Sequence, residues 1–340
     1  MSYKDIHKDL KNKEILITGG TGSIGLGLIK QLVKHSPKGI RIFTNDENSI
    51  FEAKRILGEN PIFNFLIGDI RDKDRLHLAI RNIDIVFHAA AMKHIDICEQ
   101  NPFDAVQTNV IGTSNILEAS LIENVSKFVL ISTDKATNPT STLGASKLLA
   151  EKLTLNASSY RGEGHTAFSI VRFGNVIGSR GSVFQIFLEQ LRKYQPLTVT
   201  DSRMTRFIMS ISEAASLILT VTHIAKDGEI FILKMPSVTI KNLAETMISV
   251  YKDRLMPTSK NWTMKISNAR RGERLEEFLI TRDELPYCYD MGTFYKISKI
   301  KSMAKLKEEQ FNSSTAPIIS KVRLYKIINE LLDEYMPSRF

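Results

Sequence analysis

Cysteine is nearly absent from this chain of 340 residues: Cys98 and Cys288 stand far apart, and tryptophan occurs only once. Two distant thiols build neither a disulfide framework nor a cysteine-rich metal cluster, so the chain reads as a protein of a reduced, cytoplasmic compartment. No apolar run approaches the ~20 residues that a membrane span needs, and no secretory pattern is visible, so no integral membrane segment is expected. The net charge of +9 is spread along the chain. Without a basic block or a recognised binding motif this argues against nucleic acid, and it suits a small polyanion such as a nucleotide diphosphate. Internal repeats and low-complexity segments are missing too.

What is present is ordinary globular material, with 43% hydrophobic and 24% charged residues. The length exceeds the ~250–300 residues that one core usually serves, which predicts a large domain with a smaller one appended. A polar, lysine-rich stretch over residues 1–12 reads as a surface lead-in. Apolar runs at 14–18, 40–44, 62–67, 84–88, 127–131 and 167–173 then alternate with amphipathic segments. That alternation predicts an α/β fold, a Rossmann-type doubly wound parallel sheet over residues 1–174. From Gly174 the segments shorten, which predicts a smaller C-terminal α+β substrate domain over 175–340, with room for elements returning to the Rossmann sheet. Helices are expected there over 183–194 and 238–251, a strand over 229–233, and a helical tail after Ser302.

The first strand runs into Gly19, Gly20, Thr21, Gly22, Ser23, Ile24 and Gly25 and then a helix. Glycines at 19, 22 and 25 permit a tight turn, close approach to a pyrophosphate and close helix packing, and the helix amino end favours the phosphate charge. Asp46, ending the second strand, is placed to bind the adenosine ribose or to cap the helix that follows. Asp69 and Ile70 follow the third strand, where the aspartate could meet the adenine edge. Ala89, Ala90 and Ala91 follow the fourth, as a flat surface for a cofactor or as mere packing. Asn101 and Pro102 read as a helix start, and that helix carries Asn109 toward the middle of the sheet. His88, His94 and Cys98 invite a metal reading, but a closed site wants four ligands in recognisable spacing, so no metal is expected.

The fifth strand delivers Thr133, Asp134 and Lys135 at its carboxyl end, the edge where open α/β sheets bind ligands. A carboxylate beside an ammonium there can serve as an acid and base pair. Leu143 and Lys147 follow, four residues apart and so on one helix face. Farther along, Arg206, Arg270 and Arg271 are available for phosphate, or form a solvated face.

The chain resembles an extended short-chain dehydrogenase/reductase, and more closely the inverting UDP-N-acetylglucosamine 4,6-dehydratases of polysaccharide and glycan biosynthesis. The resemblance covers roughly residues 12–280. It rests on Thr-Gly-Gly-Thr-Gly-Ser-Ile-Gly at 18–25, Gly-Asp-Ile-Arg-Asp at 68–72, His-Ala-Ala-Ala-Met-Lys-His at 88–94, Asn-Pro-Phe at 101–103 and Thr-Asn-Val-Ile-Gly-Thr at 108–113. Ser-Thr-Asp-Lys-Ala at 132–136, Arg-Phe-Gly-Asn-Val-Ile-Gly-Ser-Arg-Gly-Ser-Val at 172–183 and Met-Thr-Arg-Phe at 204–207 complete it. In that family a hydride passes from sugar C4 to a tightly held NAD(P) and back to C6, while water leaves across C5 and C6. The product is a 4-keto-6-deoxy sugar nucleotide inverted at C5.

The resemblance implies that Asp134 protonates the leaving C6 hydroxyl, that Lys135 exchanges the C5 proton, and that Lys147 holds the nicotinamide ribose. It implies Lys93 near cofactor and substrate, Asn175, Ser182, Val183 and Arg206 near the sugar nucleotide, and Arg271 and Glu273 near phosphate and ribose. It further implies a homo-oligomer. Asn45 stands where NADP-binding relatives often carry arginine, which slightly favours NAD, although Lys54 and Arg55 could reach a 2′-phosphate.

Leu143 departs from the pattern. Short-chain dehydrogenases usually place a tyrosine there to take the proton of the hydroxyl being oxidised, and Thr133 is the proposed relay in its stead. An epimerase, acting at C4 or after dehydration, is the alternative enzyme. A non-catalytic NAD(P)-binding sensor or scaffold is the alternative that Leu143 alone would suggest.

Overall fold

The computed structural model describes residues 3–160, 162–254, 262–267, 272–303 and 306–336. Fourteen strands follow in chain order among the described residues: β1 (Glu14–Thr18), β2 (Gly39–Thr44), β3 (Phe63–Ile67), β4 (Ile85–His88), β5 (Lys127–Thr133), β6 (Ala167–Phe173), β7 (Asn175–Val176), β8 (Leu197–Val199), β9 (Thr205–Met209), β10 (Glu229–Leu233), β11 (Ser237–Thr239), β12 (Met264–Ile266), β13 (Cys288–Asp290) and β14 (Phe294–Ile297). Nine form one sheet in the order β13-β14-β10-β6-β5-β4-β1-β2-β3. β3 through β10 in that row run parallel, and β14 pairs antiparallel with both β10 and β13. The order reverses between β1 and β4, the switch point at which such sheets open a crevice.

β1, β4 and β5 are buried almost throughout because helices cover both faces, so their residues are apolar without alternation. Ile15, Leu16, Ile17, Val86, Phe87, Phe128 and Val129 share one core with the helices Ser23–Leu32 and Gly112–Ile122. A second core joins Phe184, Phe187, Leu191, Leu197, Leu243, Met247, Ile328 and Leu332. The helices Val183–Arg192, Ile240–Arg254 and Lys321–Tyr335 surround it, with the small sheets β11-β9-β7 and β12-β8. The strand expected over 229–233 is β10, which extends the large sheet.

Four segments differ from expectation. The lead-in is a helix, Tyr3–Leu10. Its Leu10 is fully buried and its Asp9 meets Lys127 at 3.1 Å and His223 at 3.0 Å, so it is tied to the body. Asn101 does not cap the next helix, since its side-chain amide donates to the Ile97 carbonyl at 2.9 Å. That helix opens into a wide π-type turn at Gln107–Ile111 before continuing, a device common at functional sites. The helix expected from 238 begins at Ile240, because Val238 pairs with Arg206 in β11. The tail is helical only over Lys321–Tyr335 apart from the short turn Glu308–Phe311, among the described residues.

Candidate active site

At the switch point the glycine turn is shaped by contact. Gly19 has φ +66°, and a Cβ on it would stand 2.7 Å from the Ala90 nitrogen. A Cβ on Gly25 would stand 2.4 Å from the Gly20 carbonyl, so the helix can cross the strand only without one. Ala89 and Ala90 thus pack on the turn, and Ala91 follows them at the crevice. Gly22 caps the helix with no side-chain hydrogen bond. Its first-turn amides and positive dipole end have no capping side chain over them, which fits a pyrophosphate. Ile24 packs against the main core.

The surrounding side chains are committed to one another. The Thr21 hydroxyl donates to that of Thr44 at 3.2 Å and accepts from Ser49 at 2.8 Å. Ser23 Oγ accepts the Arg180 amide at 2.9 Å, Lys93 donates to the Arg180 carbonyl, and the Arg180 guanidinium reaches Glu52 at 2.8 Å. The loop carrying Arg180 therefore crosses the glycine turn. Burial, with the Arg180 charge, lowers the Lys93 pKa. Asp46 caps its helix by accepting from the Ser49 amide at 3.2 Å, and it stays solvent-exposed. Asp69 is gripped by the Arg71 guanidinium at 2.7 Å and by Asn45 at 3.2 Å, and those hydrogen bonds hold its pKa down. Ile70 is buried beneath it, close to Gly112.

Asn109 lies in the wide turn. Its amide accepts from the Met92 nitrogen at 2.8 Å and donates to the Met92 carbonyl at 3.1 Å and to Ser146 at 3.0 Å. It clamps the stretch after β4 to the helix that bears Lys147. His88 sits below, fully enclosed. Thr113 donates to the Asn109 carbonyl at 2.7 Å, so it receives His88 Nε2–H at 3.0 Å, which leaves Nδ1 to accept from Thr18 at 2.6 Å. Burial, helped by Lys147, lowers the His88 pKa to about 3. It is a neutral core histidine. His94 packs on Gly181 and Cys98 packs with Leu143 and Ala105, and no group of metal ligands occurs among the described residues.

The carboxyl end of β5 meets the helix Thr142–Asn156. Ser141 caps that helix by accepting from Gly144 at 3.1 Å. Gly144 lets it close on the preceding turn, since a Cβ there would stand 2.4 Å from the Lys135 carbonyl. Asp134 is wholly buried, and its Oδ1 accepts from the Thr133 hydroxyl at 2.9 Å and from the Lys135 ammonium at 2.9 Å. Its Oδ2 has no hydrogen-bond partner. Lys147 donates to the Ile131 carbonyl at 2.8 Å, and burial, opposed by Glu151, lowers its pKa to about 8. Leu143 offers no hydroxyl and is sealed into a small apolar cluster with Cys98 and Ala105, flanked by Met92 and Ile95.

Asn175, Ser182, Val183 and Arg206 meet in one pocket, with Phe184, Ile208 and Leu243 as apolar walls. Asn175 Oδ1 and Ser182 Oγ are buried there without hydrogen-bond partners, an arrangement that a polar ligand relieves. Arg206 turns its Nη donors inward, to the Thr205 carbonyl at 2.7 Å and the Arg274 carbonyl at 2.9 Å. Glu273 stands beside the Gly272 turn. Arg270 and Arg271 lie outside the described residues.

Three neighbours of the site have no role assigned from the sequence. Glu277 arrives from a loop to line a pocket with Lys135. Arg274 donates to the Thr137 carbonyl at 3.1 Å. Arg172, also buried, joins Glu151 and Glu284 behind Ser132, which donates to Glu151 at 2.5 Å. The charge pattern Arg-Gly-Glu-Arg-Leu-Glu-Glu was the only available signal for the first two.

The chain matches the polysaccharide biosynthesis protein family over residues 15–299. It is 48% identical, over 97% of its length and 99% of the relative's, to a Methanocaldococcus jannaschii protein described as an uncharacterized membrane protein. Among the described residues of the present chain no helix is long and apolar enough to cross a membrane. It is 40% identical to an inverting UDP-N-acetylglucosamine 4,6-dehydratase of Campylobacter jejuni, over 84% of this chain and 83% of that one. It is 38% identical to a UDP-glucose 4-epimerase of Rickettsia bellii over the same shares. The structure of Pen from Bacillus thuringiensis superposes with a TM-score of 0.89 at 39% identity, covering 94% of this chain and 98% of that one. The chain belongs to the polysaccharide biosynthesis protein family, within the extended short-chain dehydrogenases/reductases.

Proposed function

We propose that the protein is a UDP-N-acetylglucosamine 4,6-dehydratase that inverts C5. The observation that carries this reading is the Thr133–Asp134–Lys135 constellation at the carboxyl end of β5, a buried carboxylate bonded to a hydroxyl and an ammonium. The named dehydratase relative supports it. Residues of the glycine turn would hold NAD or NADP, with Asp46 free at one oxygen for the ribose and Lys147 near the nicotinamide end. When bound, the cofactor supplies a hydride acceptor for sugar C4 and a hydride donor for C6.

This chain's own residues would manage the protons. Thr133 takes the C4 hydroxyl proton and passes it along its hydrogen bond to Asp134. Asp134 gives that proton to the C6 hydroxyl as the C6–O bond breaks, so water leaves. Lys135 takes the C5 proton, which the C4 ketone has made acidic, and after C5 has become planar and the ring has turned it returns a proton to the opposite face, which inverts the centre. Asn175, Ser182 and Arg206 hold the nucleotide sugar, and the Leu143 cluster keeps solvent from one side.

Relatives named UDP-glucose 4-epimerase favour a second reading, inversion at C4 alone. That reaction needs a base for one hydroxyl and leaves the Asp134–Lys135 pair without a task. Incubating cofactor-loaded protein with UDP-N-acetylglucosamine and weighing the product separates the two. Loss of one water supports the dehydratase. Unchanged mass with inverted C4 supports the epimerase, and an unaltered substrate with bound cofactor refutes both.

A further inference from the structure

We propose that Glu277 is the proton partner of Lys135, holding the proton that the lysine must shed before it can act as a base. The inference rests on the dehydratase reading. Lys135 faces two carboxylates: Asp134 Oδ1 at 2.9 Å and Glu277 Oε1 at 3.8 Å. Glu277 is 2% exposed, and its Oε2 is buried without a hydrogen-bond partner. Its backbone is pinned on both sides, the amide donating to Ser313 Oγ at 2.9 Å and the carbonyl accepting from the Ser313 amide at 2.9 Å. The fold therefore holds a carboxylate against the ammonium without giving it a hydrogen bond of its own.

The other charged groups facing it are Arg206 from β9, with Nε 3.8 Å from Oε1, and Arg274, with Nη1 3.8 Å from Oε2. Glu277 and Lys135 line one pocket with Thr140, Ser141 and Arg274. Asp134 lies behind them, engaged with Thr133. Burial, with the Asp134 charge, raises the Glu277 pKa against the pull of Lys135. For Lys135 burial acts downward, but Asp134 and Glu277 outweigh it and keep the amine charged at rest. A resting ammonium cannot remove a carbon-bound proton.

The transfer balances within the pair. An Nζ–H bond of Lys135 breaks as an Oε1–H bond forms on Glu277, giving a neutral amine and a neutral carboxyl across a gap that a small side-chain rotation closes. The amine takes the C5 proton, and the electron pair of that C–H bond enters the enolate of the C4 ketone and expels the C6 hydroxyl. Water forms with the proton that Asp134 received from the C4 hydroxyl. Once C6 has received a hydride and C5 a proton from Lys135 on its opposite face, Glu277 returns its proton to the amine, and both groups regain their resting charge.

The test uses cofactor-loaded protein and Glu277→Gln, with Glu277→Asp as the conservative variant. Competitive acylation of Lys135, followed by peptide mass spectrometry across pH, reads the lysine's titration without any substrate. Its midpoint should fall in Glu277→Gln and be largely restored in Glu277→Asp. With substrate, dehydration and deuterium uptake at C5 should slow by about 100-fold in Glu277→Gln, the scale of a lost acid–base partner. Reduction of the cofactor by the sugar should persist, and the pH profile of dehydration should change shape. An unmoved Lys135 midpoint, or an unmoved dehydration pH profile, overturns the inference. If the unaltered protein removes no water at all, the dehydratase reading fails instead, and the substrate-free titration still decides whether the two groups share a proton.

Discussion

Replacing Arg172 by methionine should cost the protein about 3–5 kcal/mol, because it strips the counter-charge from buried carboxylates. Arg172 is 1% exposed, and it holds Glu151 at 2.5 Å and Glu284 at 2.9 Å, which are 2% and 19% exposed. It also donates to the Leu279 carbonyl at 3.0 Å. Removing it leaves two negative groups facing an apolar cavity, and urea unfolding at pH 7 reads the loss as a lower midpoint with little change of slope. Replacing all three at once, with Glu151→Met, Arg172→Met and Glu284→Leu, should recover most of that stability, since no unpaired charge remains. Activity should not recover with it. Ser132, next to Thr133, loses the Glu151 oxygen to which it donates at 2.5 Å, and Glu151 lies one helical turn beyond Lys147. Acid should weaken the unaltered protein through the same cluster. For Glu284 burial acts upward, but Arg172 outweighs it and its pKa is lowered from 4.5; its contribution is full above that value and is lost as the pH falls through the lower folded one. A methionine variant within about 1 kcal/mol of the parent, where a broken buried pair costs several, would show that Arg172 does not hold these carboxylates by its charge.

Other outcomes follow from the same geometry. The His88 pKa is lowered from 6.5 to about 3, so the unfolded chain binds the extra proton. Up to about 4–5 kcal/mol of stability should then be lost between those pH values. Urea titrations at pH 7 and 4 should show that slope, and a His88→Gln variant should lack it. Gly144→Ala pushes a Cβ to 2.4 Å from the Lys135 carbonyl. It should lower stability by about 1–3 kcal/mol despite a gain in helix propensity of ~1 kcal/mol, as melting curves would show. Thr133→Val removes the hydroxyl that donates to Asp134, and single-turnover absorbance should show slower reduction of the cofactor. An unchanged rate would dismiss Thr133 as the substitute for the missing tyrosine.

The parallel sheet was legible because its buried strands are short apolar runs separated by amphipathic helices, and the glycine turn because three glycines answer to one geometry. Thr133, Asp134 and Lys135 were legible for the same reason: a strand end fixes where they stand. Leu10 was not. Eight helical residues with one buried leucine look like any polar lead-in until Asp9 finds Lys127 and His223. Asn101 has the right identity for a cap, yet the preceding helix offers the Ile97 carbonyl and wins its amide. Glu277 left only its place in a charged run, since its importance comes from meeting Lys135 across a long stretch of chain. Arg206 was legible as a cation available to the nucleotide sugar, and it lines the Asn175 pocket; that its Nη donors also turn to carbonyls was not.

Elimination at C5 and C6 is tested most directly by dehydration run in heavy water with cofactor-loaded protein and UDP-N-acetylglucosamine, followed by NMR and mass spectrometry of the product. Elimination by Asp134 and Lys135 predicts a 4-keto-6-deoxy product that has lost one water, carries deuterium at C5 with inverted configuration, and fails to form with Lys135→Ala. A product of unchanged mass without deuterium at C5, formed equally well by Lys135→Ala, would contradict it.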